Sequence, residues 1–145
     1  MPATGDRNDP YSAFNFIIEI DGVVVGGFAE CSGLTMEQEI IDYRNGDEPN
    51  IKRKLPGQQK QANLVLKRGL TQSRELWEWR KLVMDGRTER RPGNIQLLDE
   101  ARQPALQWNF REGWPCKLEG PALNAKASEV AIETLEIVHE GLEQQ

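Results

Sequence analysis

Apolar and polar positions alternate near the start of the chain, which is the period-two pattern of a half-buried β-strand. Residues 14–20 show this alternation well, with an aromatic or branched side chain at every second position. Asp21-Gly22 follows, and an Asp-Gly pair between two such runs is typical of a hairpin turn. The second run, residues 23–28, contains Gly26-Gly27, which predicts a bulge or a close backbone approach. The stretch therefore predicts a β-hairpin.

Several more short strands follow from the same pattern, with glycine and proline between them. Gly33 is placed to end the strand that begins at Phe28. Pro115 confines residues 113–119 to a sheet edge, a strand start or a bulge. The other predicted strands cover residues 36–43, 63–67, 95–98 and 105–112, the last with Leu106, Trp108 and Phe110 on one face.

One segment has the period of an amphipathic helix instead. It covers about residues 72–84, with Thr71 or Ser73 as the predicted N-cap and Gly86 as the C-terminal stop. The apolar stripe of this helix consists of Leu76, Trp79, Leu82 and Val83. The opposite, outward face consists of Arg74, Glu75, Glu78 and Lys81.

Residues 128–140 support two interpretations. Their apolar positions fit a helical stripe, which periodicity alone favours. Their many β-branched side chains, such as Ile132 and Ile137, favour a strand. Neither face of a flat strand would be fully apolar, so the residues leave both interpretations open.

Seven to eight short strands and one helix predict a mainly β fold. We expect an antiparallel β-sandwich or barrel with one flanking α-helix at about residues 72–84. The length of 145 residues suits a single domain covering residues 1–145. Residues 1–12 are expected to form a short polar N-terminal tail.

The least regular part of the chain is residues 44–61, an extended basic arm. Residues 45–61 are predicted to be a loop, because Gly46, Pro49, Pro56 and Gly57 interrupt any regular element. Loops longer than about 12–15 residues are uncommon in compact domains unless they are functional or disordered. The arm carries four closely spaced cations, Lys52, Arg53, Lys54 and Lys60.

Charge is distributed in three blocks along the sequence. Residues 1–43 sum to −7, residues 44–91 to +7 and residues 92–145 to −5. A cationic middle between anionic flanks is compatible with ordinary solvated surfaces, and also with complementary faces that associate head to tail. Nucleic-acid binding is disfavoured, because the whole chain is acidic and the basic segment has few interleaved aromatic residues.

No catalytic or cofactor-binding pattern is present in the sequence. The single histidine, His139, lies between acidic residues, which is more typical of a structural residue than of a general base. Ser32 lacks the context of a nucleophile, and two distant cysteines with one histidine do not make a zinc site. We therefore expect no enzyme activity and no cofactor or metal. Four tryptophans leave one alternative, a monomeric β-barrel that binds a small ligand in an aromatic-lined pocket.

Two further features concern the cellular location. The first residues lack the basic and apolar regions of a signal peptide, and no apolar run approaches the roughly 20 residues of a membrane span. We expect synthesis in the bacterial cytoplasm and no membrane insertion. Cys31 and Cys116 are expected to be small buried apolar residues in a reducing compartment.

Several stretches, in order along nearly the whole chain, resemble the inner tube protein of phage-like contractile injection systems, in the contractile phage tail tube family. Each stretch alone is a weak match, and the resemblance depends on their order and spacing together. The stretches are Phe28-Ala-Glu-Cys-Ser-Gly-Leu34, Tyr43-Arg-Asn-Gly46, Arg53-Lys-Leu-Pro-Gly57, Leu64-Val-Leu-Lys-Arg-Gly-Leu70, Leu76-Trp-Glu-Trp-Arg80, Trp108-Asn-Phe110, Trp114-Pro115, Glu129-Val-Ala-Ile-Glu-Thr-Leu-Glu136 and His139-Glu-Gly-Leu142. The ring protein of type VI secretion is a related alternative, and the Ser-Gly-Leu and Leu-Pro-Gly pieces favour the phage-tail-like branch.

The resemblance implies a structural subunit and no catalytic residues. Such subunits form sixfold rings, which stack into a tube with a β-lined channel for cargo or DNA inside a contractile sheath. The expected partners are further copies of the chain, the sheath, baseplate or spike proteins, tube-terminating proteins, a tape-measure protein and the luminal cargo. In this family the final segment is a strand, which decides between the two interpretations of residues 128–140.

The resemblance also implies that the arm extends to the neighbouring ring. The predicted contact residues are Arg44, Asp47, Glu48, Lys52, Arg53, Lys54, Leu55 and Lys60. The predicted sheath-facing residues are those on the outward face of the helix, Arg74, Glu75, Glu78 and Lys81, for which a merely solvated surface is the alternative.

Overall fold

Ten strands and one helix make up the computed structural model, which describes residues 11–12, 15–44, 46, 52–126 and 128–145. The strands are β1 (Phe16–Ile20), β2 (Val23–Val25), β3 (Phe28–Ser32), β4 (Met36–Tyr43), β5 (Arg53–Gln61), β6 (Leu64–Gly69), β7 (Arg91–Leu98), β8 (Pro104–Glu119), β9 (Ile132–Val138) and β10 (Gly141–Gln144). The helix α1 covers Glu75–Met84. Most of the predicted N-terminal tail, and also Phe14, Asn45 and Pro49, lie outside the described residues.

An eight-stranded antiparallel sheet surrounds the core, in the order β2-β1-β7-β8-β9-β6-β3, with β10 also pairing with β8. β2 and β3 are the two edges of this order, yet only Gly26-Gly27 separates them in sequence. Three residues span at most about 11 Å, so the two edges approach each other at this point. The sheet therefore curls into a barrel that is open between β2 and β3, in agreement with the predicted fold class.

The curl depends on β8, which is 16 residues long and pairs with different strands along its length. Its first part pairs with β7 and β10, and its second part pairs with β9. Between the two parts, Glu112 has a positive φ of 53°. Pro115 lies at a register shift against β9, so of the three predicted settings for this proline, a sheet edge, a strand start or a bulge, the structure shows the bulge.

The core contains apolar side chains from seven of the barrel strands, and two residues of the helix cover it. Leu76 and Trp79 of α1 are buried among these strand residues, and the Trp79 indole donates a hydrogen bond to the Glu89 carbonyl at 2.9 Å. Arg91 lies over the Trp79 ring at 5.0 Å. The strand residues of the core are Ile18, Ile20, Val25, Leu64, Leu66, Ile95, Phe110, Leu135, Ile137 and Leu142.

Several predicted elements agree with the structure. Asp21-Gly22 forms the hairpin turn between β1 and β2, with φ values of 54° and 78°. The strand at residues 36–43 has the predicted bounds, and β3 ends just before Gly33. The segment 128–140 contains the strand β9, as the family resemblance implied.

Other predictions were wrong in their bounds. The run 23–28 divides into β2 and the start of β3, and nothing lies within 4 Å of an added Cβ at Gly26 or Gly27, so the glycines mark a break and no close approach. The helix begins at Glu75, with Arg74 as an N-cap that makes no side-chain capping bond. The predicted cap Thr71 instead accepts a hydrogen bond from the Ser73 amide.

The largest correction concerns residues 45–61, which were predicted to be a loop. Residues 53–61 form β5, paired with β4 in a two-stranded antiparallel sheet. Pro56 is tolerated in this strand because β5 has no second neighbour among the described strands, so its missing N–H interrupts no further ladder. Gly57 occupies the register shift between Gln38 and Ile40 on the opposite strand.

Candidate functional site

The β4–β5 hairpin projects from the barrel as a separate two-stranded sheet. Within the described residues, neither β4 nor β5 pairs with any other strand. An eight-residue strand spans about 25 Å, so the far end of the hairpin is distant from the barrel. A two-stranded hairpin is marginally stable alone in water, so this element is expected to gain stability from contacts with another chain.

Apolar side chains are exposed on both faces of this hairpin. Ile40 and Ile41 are 65% and 51% exposed, and as consecutive strand residues they point to opposite faces. Leu55 lies opposite Ile41 in the register and is also exposed. Contiguous exposed apolar side chains mark interaction surfaces in soluble proteins. Both faces of the hairpin are therefore candidates for contact with a partner.

The four cations that are closely spaced in the sequence are divided between the two ends of the hairpin. Lys52 and Arg53 lie at the far end, and Lys54 is opposite Asp42 one step nearer the barrel. Lys60 lies near the barrel, where its ammonium group is 3.5 Å from the Glu39 carboxylate. Lys60 is therefore not part of the distal basic cluster.

The other predicted contact residues are placed as follows. Arg44 is exposed directly after β4, and Leu55 is in β5. Asp47 and Glu48 lie outside the described residues. The structure thus brings Arg44, Lys52, Arg53 and Lys54 to one end of the hairpin, next to the exposed ring of Tyr43.

A cleft of about 500 Å³ separates the near end of the hairpin from the barrel. The hairpin contributes Met36, Glu37, Gln38, Gln59, Lys60 and Gln61 to its lining. The barrel contributes Asn109, Phe110, Arg111, Gly141, Leu142 and Glu143, from β8 and β10. Phe110 is the only aromatic residue among the described residues of this lining, so the cleft is not the tryptophan-lined ligand pocket of the alternative hypothesis.

The predicted sheath-facing residues are all exposed on α1 or at its N-terminus. Glu75 differs from the other three because its carboxylate is 3.3 Å from the guanidinium group of buried Arg68. This residue therefore ties the first turn of the helix to the barrel. Arg74, Glu78 and Lys81 remain candidates for contact with a partner.

Arg68 is a buried cation that the sequence pattern did not identify. Its side chain is 4% exposed, and its Nε atom donates a hydrogen bond of 2.6 Å to the Glu133 carboxylate, which is 10% exposed. The guanidinium group also lies 5.6 Å from the centre of the Phe28 ring. Arg68 and Glu133 occupy inward positions of adjacent strands, where the alternation pattern calls for apolar residues.

No catalytic arrangement surrounds the described polar residues. His139 is buried, and its Nε2 atom lies 3.0 Å from the Ala62 carbonyl oxygen, which indicates a structural role. In the part of the chain that the structure describes, no group of three His, Cys, Asp or Glu side chains could hold a metal ion. None of the helices in that part has the length and apolar character needed to cross a bilayer.

Both cysteines are free and half-buried. Burial raises the pKa of the Cys31 thiol to about 11. Burial, followed by the nearby Glu136 carboxylate, raises the pKa of the Cys116 thiol. Both side chains are therefore neutral thiols at neutral pH, and neither has the thiolate character of a nucleophile.

The family described as T4-like virus tail tube protein gp19 matches residues 12–143 of this chain. The chain belongs to this tail tube family. No curated protein sequence matches it significantly. The match covers the barrel, the helix and the projecting hairpin, so the whole described fold is that of a tail tube protein.

Solved structures agree with this assignment. The tail tube protein is similar to a chain of an extracellular contractile injection system, the PVC sheath–tube complex in its extended state, with a TM-score of 0.86 and 24% identity over 95% of this chain and 93% of that chain. It is also similar to the anti-feeding prophage tube-terminating cap, with a TM-score of 0.87 and 25% identity over 100% of this chain and 99% of that chain.

A protein of the type six secretion system shares the fold more distantly. Its TM-score is 0.59, with 11% identity over 91% of this chain and 83% of that chain. The tail tube protein therefore has a closer structural likeness to the two contractile injection structures, the branch that the Ser-Gly-Leu and Leu-Pro-Gly pieces favoured.

Proposed function

We propose that this tail tube protein is a structural subunit of the rigid inner tube of a contractile injection system or phage tail. It assembles into sixfold rings that stack and enclose a channel for cargo, inside a contractile sheath. The observation that carries the proposal is the β4–β5 hairpin, which pairs with no barrel strand in the described part of the chain and exposes apolar side chains on both faces.

The open barrel supports lateral association of subunits within a ring. Among the described strands, the edge strands β2 and β3 each have one side without a neighbour, and such edges are templates for pairing with another chain. Val23 and Val24 on β2 are 61% and 54% exposed. In such an edge contact, one surface of a subunit binds a different surface of the next copy. Repeating this contact gives a closed ring when a whole number of subunits completes one turn.

The hairpin supports contact between rings. Its distal end carries Lys52, Arg53 and Lys54, whereas the sequence segments on either side of the basic block sum to −7 and −5. We infer that this basic distal end meets an acidic face of a subunit in the next ring. Such a contact between unlike surfaces makes all rings in the stack face the same direction. Asp47 and Glu48 would then contribute to the same contact from the segment between β4 and β5.

The proposed partners follow from this arrangement. The sheath contacts the outside of the tube, a tube-terminating protein and the baseplate or spike contact its ends, and a tape-measure protein and the cargo occupy the channel. The subunit performs no catalysis and holds no cofactor. It is synthesised in the bacterial cytoplasm and becomes part of a phage-tail-like particle.

Electron microscopy of the purified protein in negative stain tests this function directly. We expect rings or tubes of uniform diameter with a central channel when the protein is concentrated, or when baseplate and sheath proteins are co-expressed to nucleate assembly. A chain that stays monomeric under both conditions would overturn the proposal and favour the ligand-binding barrel, for which tryptophan fluorescence should respond to a ligand.

The outward face of α1 is the proposed sheath contact. Exchanging the charges of Glu78 and Lys81 by Glu78→Lys with Lys81→Glu should leave tube assembly unchanged and reduce the fraction of tube length covered by sheath. The reduction should be partial, because exposed ion pairs contribute about 0–1 kcal/mol each. Coverage is measured on micrographs of tubes mixed with sheath protein.

A charge exchange in the exposed loop after β8, Lys126→Glu with Glu129→Lys, is the matched control, since it also leaves the net charge unchanged. Equal sheath coverage for wild type, control and helix variant would show that α1 does not bind the sheath.

A further inference from the structure

Two short connectors join the projecting hairpin to the barrel. Residues 33–35 lead from β3 into β4, and residues 62–63 lead from β5 into β6. Neither hairpin strand pairs with a barrel strand in the described part of the chain, and the cleft separates the near end of the hairpin from β8 and β10. The direction in which the hairpin projects therefore depends on how these two connectors are held.

The two connectors are packed against each other. Gly33 has a positive φ of 95°, and a Cβ atom at this position would collide with the Asn63 carbonyl group. The first connector is also tightly turned, because the Thr35 amide donates a hydrogen bond of 2.8 Å to the Gly33 carbonyl. A change in the position of residues 62–63 is therefore transmitted to residues 33–35.

A buried histidine holds the second connector. The Nε2 atom of His139 lies 3.0 Å from the Ala62 carbonyl oxygen. A carbonyl oxygen only accepts hydrogen bonds, so Nε2 carries the hydrogen and His139 is the donor. The Nδ1 atom of the same ring is buried and has no hydrogen-bond partner in the described part of the chain. Within that part, the side chain therefore makes its hydrogen bond to the connector alone.

His139 continues the inward-facing row of β9. Glu133, Leu135 and Ile137 form this row and are buried. His139 follows at the same period of two, with 6% of its surface exposed and its ring centre 6.3 Å from that of Phe110 in the core. An apolar side chain here would bury no polar atom, whereas a buried nitrogen without a partner costs free energy. The bond to the connector is what the histidine contributes at this position.

A second hydrogen bond reaches the same connector in an exposed position. The Asn63 side chain donates to the Glu136 carboxylate at 2.9 Å. A hydrogen bond inside a protein is electrostatically stronger than one in contact with water. The buried bond from His139 is therefore the stronger restraint on residues 62–63.

We propose that His139 is a positioning residue for the β4–β5 hairpin. By donating to the Ala62 carbonyl, it fixes the second connector and thus the direction in which the hairpin projects. This inference rests on the proposed function and deepens it, because it names a residue that sets the geometry of the contact between subunits without taking part in that contact.

The length of the hairpin makes its direction sensitive to small changes at the connectors. Over about 25 Å, a rotation of roughly 10° moves the far end by about 4 Å. Charged groups form an ion pair only within about 4 Å of each other. A loosened connector therefore takes the distal cations Lys52, Arg53 and Lys54 out of reach of a fixed partner carboxylate.

Pulsed electron paramagnetic resonance on spin-labelled subunits tests this role. The full-length chain carries one label at Lys54→Cys in the hairpin and one at Glu119→Cys on the barrel. Its own cysteines are replaced by Cys31→Ala and Cys116→Ala. The distance between the labels is measured in dilute subunits, with and without His139→Leu, which removes the donor and keeps a similar volume. We expect a narrow distance distribution with the histidine and one at least twice as broad without it.

A conservative variant separates positioning from packing. His139→Gln places an amide nitrogen near the position of Nε2, where it can donate to the same carbonyl, so the narrow distribution should return. His139→Phe is a second variant without a donor, in case His139→Leu does not fold, and it should broaden the distribution as well. The urea midpoint of each variant shows whether the barrel is intact.

Tube formation by the unlabelled chains is the functional measurement. A hairpin that spends about one tenth of its time in the docking direction lowers the apparent affinity between subunits about tenfold. We therefore expect His139→Leu to raise the protein concentration needed for tube formation by about tenfold. His139→Gln should leave this concentration near the wild-type value.

Three results would overturn the proposal. They are a broad distribution in the chain that retains His139, an unchanged distribution in folded His139→Leu subunits, and equal broadening by His139→Leu and His139→Gln. Failure of the proposed function has a different signature. A wild-type chain that forms no rings or tubes would overturn the tube assignment, while the distances measured in single subunits would still decide whether His139 positions the hairpin.

Discussion

The triple variant Lys52→Glu, Arg53→Glu, Lys54→Glu is expected to fold as the wild type does and to form no stacked rings. All three side chains lie at the far end of the β4–β5 hairpin, distant from the core, so the barrel does not depend on them. Close charge pairs across a protein interface can reach coupling energies of about 1.5–7 kcal/mol, the range measured in one well-characterised complex. Reversal converts this attraction into repulsion at every contact between rings, so the loss of stacking should be complete.

Two measurements are needed for this variant. Urea unfolding followed by tryptophan fluorescence should give a midpoint close to that of the wild type, and electron microscopy should find no tubes. The control is a second triple reversal at three exposed cations outside the hairpin, Arg87→Glu, Arg90→Glu and Lys126→Glu, which changes the net charge equally. Tubes of normal length from the hairpin variant would disprove the role of its distal cations.

Replacing the buried cation by Arg68→Ala should destabilise the barrel by about 3–5 kcal/mol, because it leaves the Glu133 carboxylate buried without a counter-charge. This is a large fraction of the roughly 5–15 kcal/mol that stabilises a typical domain. The first turn of α1 also loses its ion pair with the barrel through Glu75. The change is measured as a lower urea midpoint with an unchanged dependence on denaturant concentration.

The neighbouring residue offers a matched control. Lys67→Ala removes an exposed ion pair with Glu30 in the same strand and should change stability by only about 0–1 kcal/mol. The double variant Arg68→Leu with Glu133→Leu should recover most of the lost stability, since apolar replacement of a buried pair is often neutral or stabilising. If Arg68→Ala were no more destabilising than Lys67→Ala, the buried pair would have no major role in stability.

The sequence predicted those elements whose local pattern and tertiary environment agree. β1 alternates with period two, β4 alternates only imperfectly, and Asp21-Gly22 encodes its turn locally, yet all three were identified. β5 was missed because Pro56 and Gly57 normally interrupt a strand, and only its place as the edge of an isolated hairpin makes them acceptable. β10 has four residues, which is too short for a periodic signal.

The ambiguity of residues 128–140 has a specific cause. The inner face of β9 is formed by Glu133, Leu135 and Ile137, and the glutamate breaks the apolar alternation that would mark a strand. Its partner, Arg68, breaks the alternation of β6 in the same way and lies directly opposite in the register. Each residue is an exception to the pattern when considered alone, and the pair is compatible with burial only once the strands are adjacent.

The candidate site was predicted in part. The basic segment was visible as a charge block, but the separation of Lys60 from the distal cations depends on the strand register, which local sequence did not provide.

The continuity of β8 has a mechanical consequence. A straight strand of its 16 residues would span roughly 50 Å, and this one chain segment belongs to both halves of the barrel. Sliding one half past the other would require breaking the ladders of β8 with β7, β9 and β10 together or bending a covalent backbone. Under an axial load the subunit therefore behaves as one stiff body. A tube built from it would deform mainly at the contacts between subunits.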